Sequence, residues 1–377
     1  MASVDGTTDN KFAGLKDVLG DLIDSGEDVG ASVVVVAEGK PLVDIWGGFK
    51  DEARTQPWER DTITNVWSTT KTMTALSALM LIDRGLLHED DPVAKHWPEF
   101  AANGKEAVTV GNLMSHTSGV SAWEQPVAVD DIYDWDGSTA RLAAQEPWWE
   151  PGTASGYHAI CYGHLIGEVV RRITGKMLAQ FVADEIAGPL GADFQIGAPE
   201  SDWSRIAPVI APPPLPIPEG IPADSVMMKT FGGPAVDATW ALQPGWRGAD
   251  IGGANGHSNA RGVARIQSVI TNGGEVDGVR LLSPETIQRI FRQYSDGVDL
   301  VLGLPVRFGL GYSLGTGETP YLPEHGIAFW GGWGGSIIVN DVNRGLTISY
   351  MMNKMSPGII GSPSSKAIVE ATYQMLG

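Results

Sequence analysis

The chain has 377 residues, 43% of them apolar and 19% charged, which is enough to bury a sizeable core without covalent staples. Its formal charge of −19 argues against nucleic acid and anionic lipid as partners. A single cysteine, Cys161, excludes an intrachain disulfide, and the opening MASVDGTTDNKFAG lacks the basic and apolar regions of a signal peptide, so a cytoplasmic protein with no membrane span is expected.

Apolar residues at Phe12, Leu15, Val18, Leu19 and Leu22 recur at helical spacing up to Ser25, with Gly26 as a stop. Val33 to Val36 and Leu42 to Trp46 then flank the turn residues EGK and read as a hairpin. The next stretch, NVWSTTKTMTALSALMLIDRG from Asn65 to Gly85, predicts an amphipathic helix with Ser68 as its N-cap.

Lys71 sits oddly in that helix. A cation in the first turn opposes the helix dipole, and a capping box places Glu or Gln at that position. The offset of three residues puts Lys71 on the same face as Ser68. A desolvated lysine near the positive end of a helix favours its neutral form, and a neutral amine beside a hydroxyl is a base beside a nucleophile. Ser-x-x-Lys is a short string, so the plain alternative of a cap followed by a solvated lysine stands beside the catalytic one.

From about Asp91 to Asp250 strand patterns are scarce, and Pro- and Trp-bearing loops alternate with helical pieces. In YHAICYGHLIGEVVRRITG the apolar residues Ile160, Leu165, Ile166, Val169, Val170 and Ile173 share one side, and Gly175 ends the helix. Tyr157 follows the turn EPGTASG and is expected to open this helix. Its phenol is a candidate proton carrier, with Lys71 as the cation that lowers its pKa; a half-buried structural aromatic is the alternative. Pro208 to Pro222 reads as stiff, extended, polyproline-like chain.

A helix resumes at Asn259. Phe308 to Leu314, Ser336 to Asn340 and Gly345 to Met352 read as strands, and Ser365 to Leu376 as a closing helix. Within HGIAFWGGWGGSIIVND, the glycines Gly331, Gly332, Gly334 and Gly335 clear side chains from a predicted strand edge. Backbone N–H groups there, with the amide at Ser68, suit an oxyanion hole, although a glycine-rich bulge explains the same residues. Trp123, Trp135, Trp148, Trp149, Trp330 and Trp333 are candidates for an apolar acyl or aryl pocket, or for ordinary core.

Strands at both ends and helices between them predict an α/β (α+β) fold. Residues 1–90 and 251–377 form an antiparallel sheet flanked by helices, around a mostly helical insertion, 91–250. No Gly-x-Ser-x-Gly is present, since Ser118 in SHTSG follows His116 at the position that motif gives to Gly. No His, Asp or Glu cluster has metal-ligand spacing, so neither metal nor other cofactor is expected.

Together, STTK, PGTASGYHAICYGHLIG, LMSHTSGV and GHSNARGVARI resemble, in order, segments of the serine β-lactamase and penicillin-binding-protein superfamily. The resemblance is closest to its class C-like branch with the family VIII carboxylesterases, and it covers nearly the whole chain. It implies a β-lactamase-like fold, with Ser68 as nucleophile, Lys71 as its basic partner and Tyr157 as the tyrosine of a Tyr-x-Asn motif. The pattern departs in two places. The asparagine is Ala159, and the third motif, Lys-Thr-Gly or His-x-Gly in relatives, is Trp330-Gly331-Gly332.

An indole cannot pair with a lactam carboxylate, so the departures point to neutral short-acyl or aryl esters. Trp330, Gly331, Gly332, Trp333 and Trp123 are the expected oxyanion and substrate-binding residues. The implied partner is a small-molecule ester, with oligomeric state left open, a homodimer included. The alternatives are a β-lactamase or D-alanyl-D-alanine peptidase, an acyltransferase, or an inactive ligand-binding homologue.

Overall fold

The computed structural model describes residues 3–213, 220–315 and 319–377. Its spine is a nine-stranded antiparallel sheet. The strands are β1 (Val4–Thr8), β2 (Gly30–Ala37), β3 (Lys40–Gly48), β4 (Ser295–Val298), β5 (Pro305–Phe308), β6 (Ser313–Leu314), β7 (Ile327–Gly331), β8 (Ile337–Asp341) and β9 (Leu346–Met352). They lie in the order β1-β3-β2-β9-β8-β7-β6-β5-β4. The β-branched run Val33–Val36 pairs with the C-terminal strand, Val33 opposite Tyr350, so the two ends of the chain close the centre of the sheet together.

Six helices reach ten residues among the described residues: α1 (Leu15–Ser25), α2 (Lys71–Asp83), α3 (Trp135–Ala144), α4 (Tyr162–Thr174), α5 (Ala260–Thr271) and α6 (Pro363–Leu376). The period of two along a strand sorts them. Ser32, Thr347 and Asn340 share one face by register. They meet α5 through Ala260 N–H on Ser32 Oγ, Thr271 on Thr347, and Asn340 Nδ2 on Gln267. Asp341 and Tyr350 share the other face and meet Tyr373 and Ser364 of α6, the latter through Asp28. With both faces covered, seven of the eight residues of β2 are buried. Trp330 lies opposite Ile338, which lies opposite Ser349, so Trp330 projects on the α5 face.

Four expectations need correction. Helix α2 is not amphipathic, because Lys71 through Ile82 are all buried. It runs between the sheet side and the helical region, packed on α4, so no side of it meets water. Phe308 to Leu314 is not one strand. The Gly309 amide donates to Tyr312 O and the Leu310 amide to Ile290 O, which turns the chain between β5 and β6. Helix α4 starts at Tyr162, which leaves Tyr157 and Ile160 in irregular chain before it, and it ends at Gly175, φ 75°. The fourth concerns Ser68 and is described with the site. The proline-rich stretch lies partly outside the described residues.

Candidate active site

Ser68 begins a short 3₁₀ turn, Ser68–Thr70, that leads into α2. Its side chain caps nothing. The cap position belongs to Trp67, at φ 47° and ψ −134°, a conformation that costs a bulky residue energy and persists only when its surroundings enforce it. Here they do. The Val66 amide donates to Gly256 O, the Gly256 amide donates to Thr70 Oγ1, and Ser336 Oγ donates to Val66 O. Gly332 completes the clamp, since a Cβ there would lie 2.3 Å from Val66 O. A bent elbow therefore presents the Ser68 hydroxyl free of any helix-capping bond, which corrects the expected N-cap.

Lys71 is fully buried, and no carboxylate pairs with it among the described residues. Its Nζ lies 3.0 Å from Ser68 Oγ, 2.7 Å from Ala159 O and 2.7 Å from Gly253 O. Burial pushes the ammonium well below its ordinary range. A neutral amine has two N–H groups and one lone pair. The two carbonyls can only accept, so they take both N–H groups and turn the lone pair to the Ser68 hydroxyl.

Tyr157 stands on the other side of the serine. Its phenol lies near the Ser68 side chain and accepts from Trp330 Nε1 at 3.2 Å. The Lys71 Nζ lies 4.7 Å from the ring centre. The expectation that Lys71 lowers the phenol's pKa is overturned. Burial raises it above the ordinary range, because an amine held neutral offers no charge against that desolvation. At neutral pH Tyr157 therefore carries its proton.

The backbone around Tyr157 is fixed by partners far away in sequence. The Gly156 amide donates to His116 O, the Tyr157 amide to Asp299 Oδ1 at 3.1 Å, and the His158 amide to His116 Nδ1 at 3.1 Å. His158 donates from Nδ1 to Gly156 O at 2.8 Å, which leaves Nε2 to accept from Ser118 at 2.6 Å. Burial drives the His158 imidazole down to about 3 and His116 well below its usual value, so both are neutral. Ser118 and His158 look like a nucleophile and base, but both are fully buried and serve to hold the loop.

Strand β7 brings the glycines alongside. It meets β6 only at Phe329 opposite Ser313, so Trp330 and Gly331 have an open edge on that side. The Gly332 amide is bonded to Ser336 O, that of Gly334 to Gly358 O and that of Gly335 to Gly332 O. Among the described residues the amides of Ser68 and Trp333 have no acceptor. Of the residues expected to bind the oxyanion, Gly332 therefore has its amide already taken, while that of Trp333 is free to donate. The Trp333 ring stands edge-on to Trp67, centroids 5.1 Å apart.

Of the expected residues, Ser68, Lys71, Tyr157 and Trp330 thus come into contact, and Gly332 packs on the elbow. Trp123 does not join them. It donates from Nε1 to Ser138 O and packs its ring against His164 of α4, away from the serine. Trp135 stacks on the same histidine, in the core. Trp149 packs behind the Tyr157 segment against His158. Sequence reasoning missed Asp299, His116 and the Gly253 carbonyl. The pair Gly252-Gly253 was a usable signal, because a Cβ on Gly253 would lie 2.3 Å from Ile160 O.

The family model described as Beta-lactamase matches residues 15–368. The esterase/beta-lactamase LipL of Mycobacterium tuberculosis is 33% identical over 367 residues, covering 93% of this chain and 83% of that protein. A solved structure of a family VIII carboxylesterase superposes with a TM-score of 0.92 at 38% identity, over 99% of this chain and all of that one. A penicillin-binding-protein homologue from Caulobacter crescentus gives 0.91 at 35% identity, with the same coverage.

Proposed function

The chain belongs to the beta-lactamase family, and from that premise we propose that it is a serine carboxylesterase that hydrolyses short-acyl or aryl esters through an acyl-enzyme on Ser68. The observation that carries this reading is the buried Lys71 amine, held by two carbonyls with Ser68 Oγ 3.0 Å away. Its lone pair takes the Ser68 proton as the oxygen attacks the ester carbonyl. The amides of Ser68 and Trp333 receive the oxyanion. Tyr157 donates its proton to the departing alkoxide oxygen while the Trp330 N–H steadies the phenolate, and the Lys71 ammonium then returns a proton to that phenolate. Water repeats the sequence from the acyl side and frees Ser68.

The site draws on three parts of the chain, and the proposed division into 1–90 with 251–377 around 91–250 places it where they meet. Ser68 and Lys71 come from the first part, Tyr157 from the second and Trp330 from the third. The single buried thiol, Cys161, fits a reducing compartment, and a cytoplasmic location goes with the proposal. No helix among the described residues is long and apolar enough to cross a membrane.

The name of one relative couples esterase with beta-lactamase, so the second reading is lactam hydrolysis. Trp330 argues for the ester. Its only N–H already points at Tyr157, and its ring is enclosed by His116, Tyr157, Phe308 and Phe329. A substrate carboxylate set against that ring would be buried without a cation, at a cost of several kcal/mol. The test is kcat/KM for an aryl acetate and for a chromogenic cephalosporin. Preference for the acetate is expected; preference for the cephalosporin would promote the lactamase reading.

A further inference from the structure

Tyr157 lies in irregular chain, so its main chain has no ladder or helix to hold it. Two outside elements do that work. On one flank, His116 takes the amides of Gly156 and His158. On the other, the loop between β4 and β5 reaches the Tyr157 segment. Asp299 Oδ1 accepts from Tyr157 N–H at 3.1 Å, and from its own loop through Val301 N–H and Leu302 N–H, each at 2.9 Å. The Leu300 amide adds a bond to Ser155 O at 2.8 Å.

Asp299 is wholly buried, and its second oxygen, Oδ2, has no hydrogen-bond partner. A half-satisfied carboxylate is a costly way to close a loop. What it secures is one oxygen that accepts three amides at once, two from its own loop and one from the residue whose phenol lies between Ser68 and Trp330. The register of that phenol depends on where the Tyr157 main chain sits, and a displacement of about 1 Å at a reacting group can cost a hundredfold in rate.

We propose that Asp299 is a positioning residue of the ester hydrolysis: through the Tyr157 amide it sets the phenol beside Ser68 and at hydrogen-bond distance from Trp330. The inference rests on the esterase reading, with Tyr157 as proton donor. It differs from a loop-stability role because it requires Asp299 to act through the Tyr157 hydroxyl.

The experiment compares Asp299→Ala, Asp299→Asn, Tyr157→Phe and the double variant Tyr157→Phe/Asp299→Ala on p-nitrophenyl acetate. Asp299→Ala should lower kcat at least about tenfold with KM within about twofold. Asp299→Asn keeps the accepting oxygen and should restore most of the rate. In the Tyr157→Phe background, Asp299→Ala should change kcat by less than about twofold, because the group it positions is already gone. Wild-type kcat in Asp299→Ala, an Asn variant as slow as the Ala variant, or losses that multiply in the double variant would each overturn the inference alone. If Asp299→Ala does not fold, an Asn variant below about a tenth of wild-type kcat overturns it. Full turnover by Tyr157→Phe would remove the proton-donor role of Tyr157, and this inference with it.

Discussion

Burial sets the protonation states of Lys71 and Tyr157, the two groups beside Ser68. Ser68→Ala should lose at least about a thousandfold in turnover while the fold stays intact. The Ser68 side chain caps no amide, so its removal should not incur the roughly 1 kcal/mol of a lost cap. Steady-state rates with a melting curve check both halves. Lys71→Met should likewise be inactive, and it should also be more stable. Lys71 is depressed in the folded state relative to its unfolded value of 10.5. The stability it contributes is therefore present above pH 10.5 and lost as pH falls toward the folded pKa. At pH 7 the unfolded chain gains a proton that the buried amine resists. A rise in melting temperature for Lys71→Met at pH 7, shrinking toward pH 11, is expected; a fall at pH 7 would show that the amine is stabilised as a cation. Trp330→Phe removes the donor to Tyr157 and should cut kcat about tenfold, of the order of one hydrogen bond to a developing charge.

At the level of elements, the central sheet carries a second buried acid. Asp28, just before β2, accepts from Tyr350 of β9 at 2.7 Å and from Ser364 of α6 at 3.1 Å, and its other oxygen has no partner. Burial raises its carboxyl to about 6 from 3.8. A raised acid contributes stability below pH 3.8 that is lost as pH climbs through about 6. Asp28→Asn keeps the accepting oxygen and should therefore stabilise the protein by about 1–3 kcal/mol at pH 8, with the gain fading toward pH 4. Denaturant titrations at the two pH values measure it, and equal gains at both would contradict the assignment. The same elements mark what the sequence could and could not disclose. Gly26 and Gly175 ended their helices as expected, and Val33–Val36 with Leu42–Trp46 paired as a hairpin, because turns and alternation are local. The amphipathic reading of α2 failed because, between Lys71 and Asp83 at its ends, its polar residues are Ser and Thr. Thr72, Thr74 and Ser77 satisfy their hydroxyls on nearby carbonyls and go into the core with the leucines.

Over the whole molecule, the proposed catalytic serine, lysine and tyrosine could be picked out because two of them share a helical turn and the third stands in a segment that resembles a known family. Their support was not. Gly253 O lies 182 residues from Lys71, and Asp299 lies 142 residues from Tyr157. A backbone carbonyl or a lone aspartate in a loop has no local pattern to betray it. The net charge of −19 belongs to this scale too. It should weakly repel anionic substrates, an effect screened beyond roughly 8 Å at physiological salt. The preference for a neutral aryl ester over a cephalosporin should therefore narrow only slightly between low and high salt. A preference that collapses in high salt would move its origin from Trp330 to the surface. All of this presumes that acyl transfer passes through Ser68. The most direct measurement is the intact mass of the protein, quenched within the first turnovers of p-nitrophenyl acetate, followed by mapping of any adduct. One acetyl group on the peptide that contains Ser68, absent in Ser68→Ala, is the result expected; nitrophenol release with no adduct, or an acetyl group on another residue that keeps pace with turnover, would contradict it.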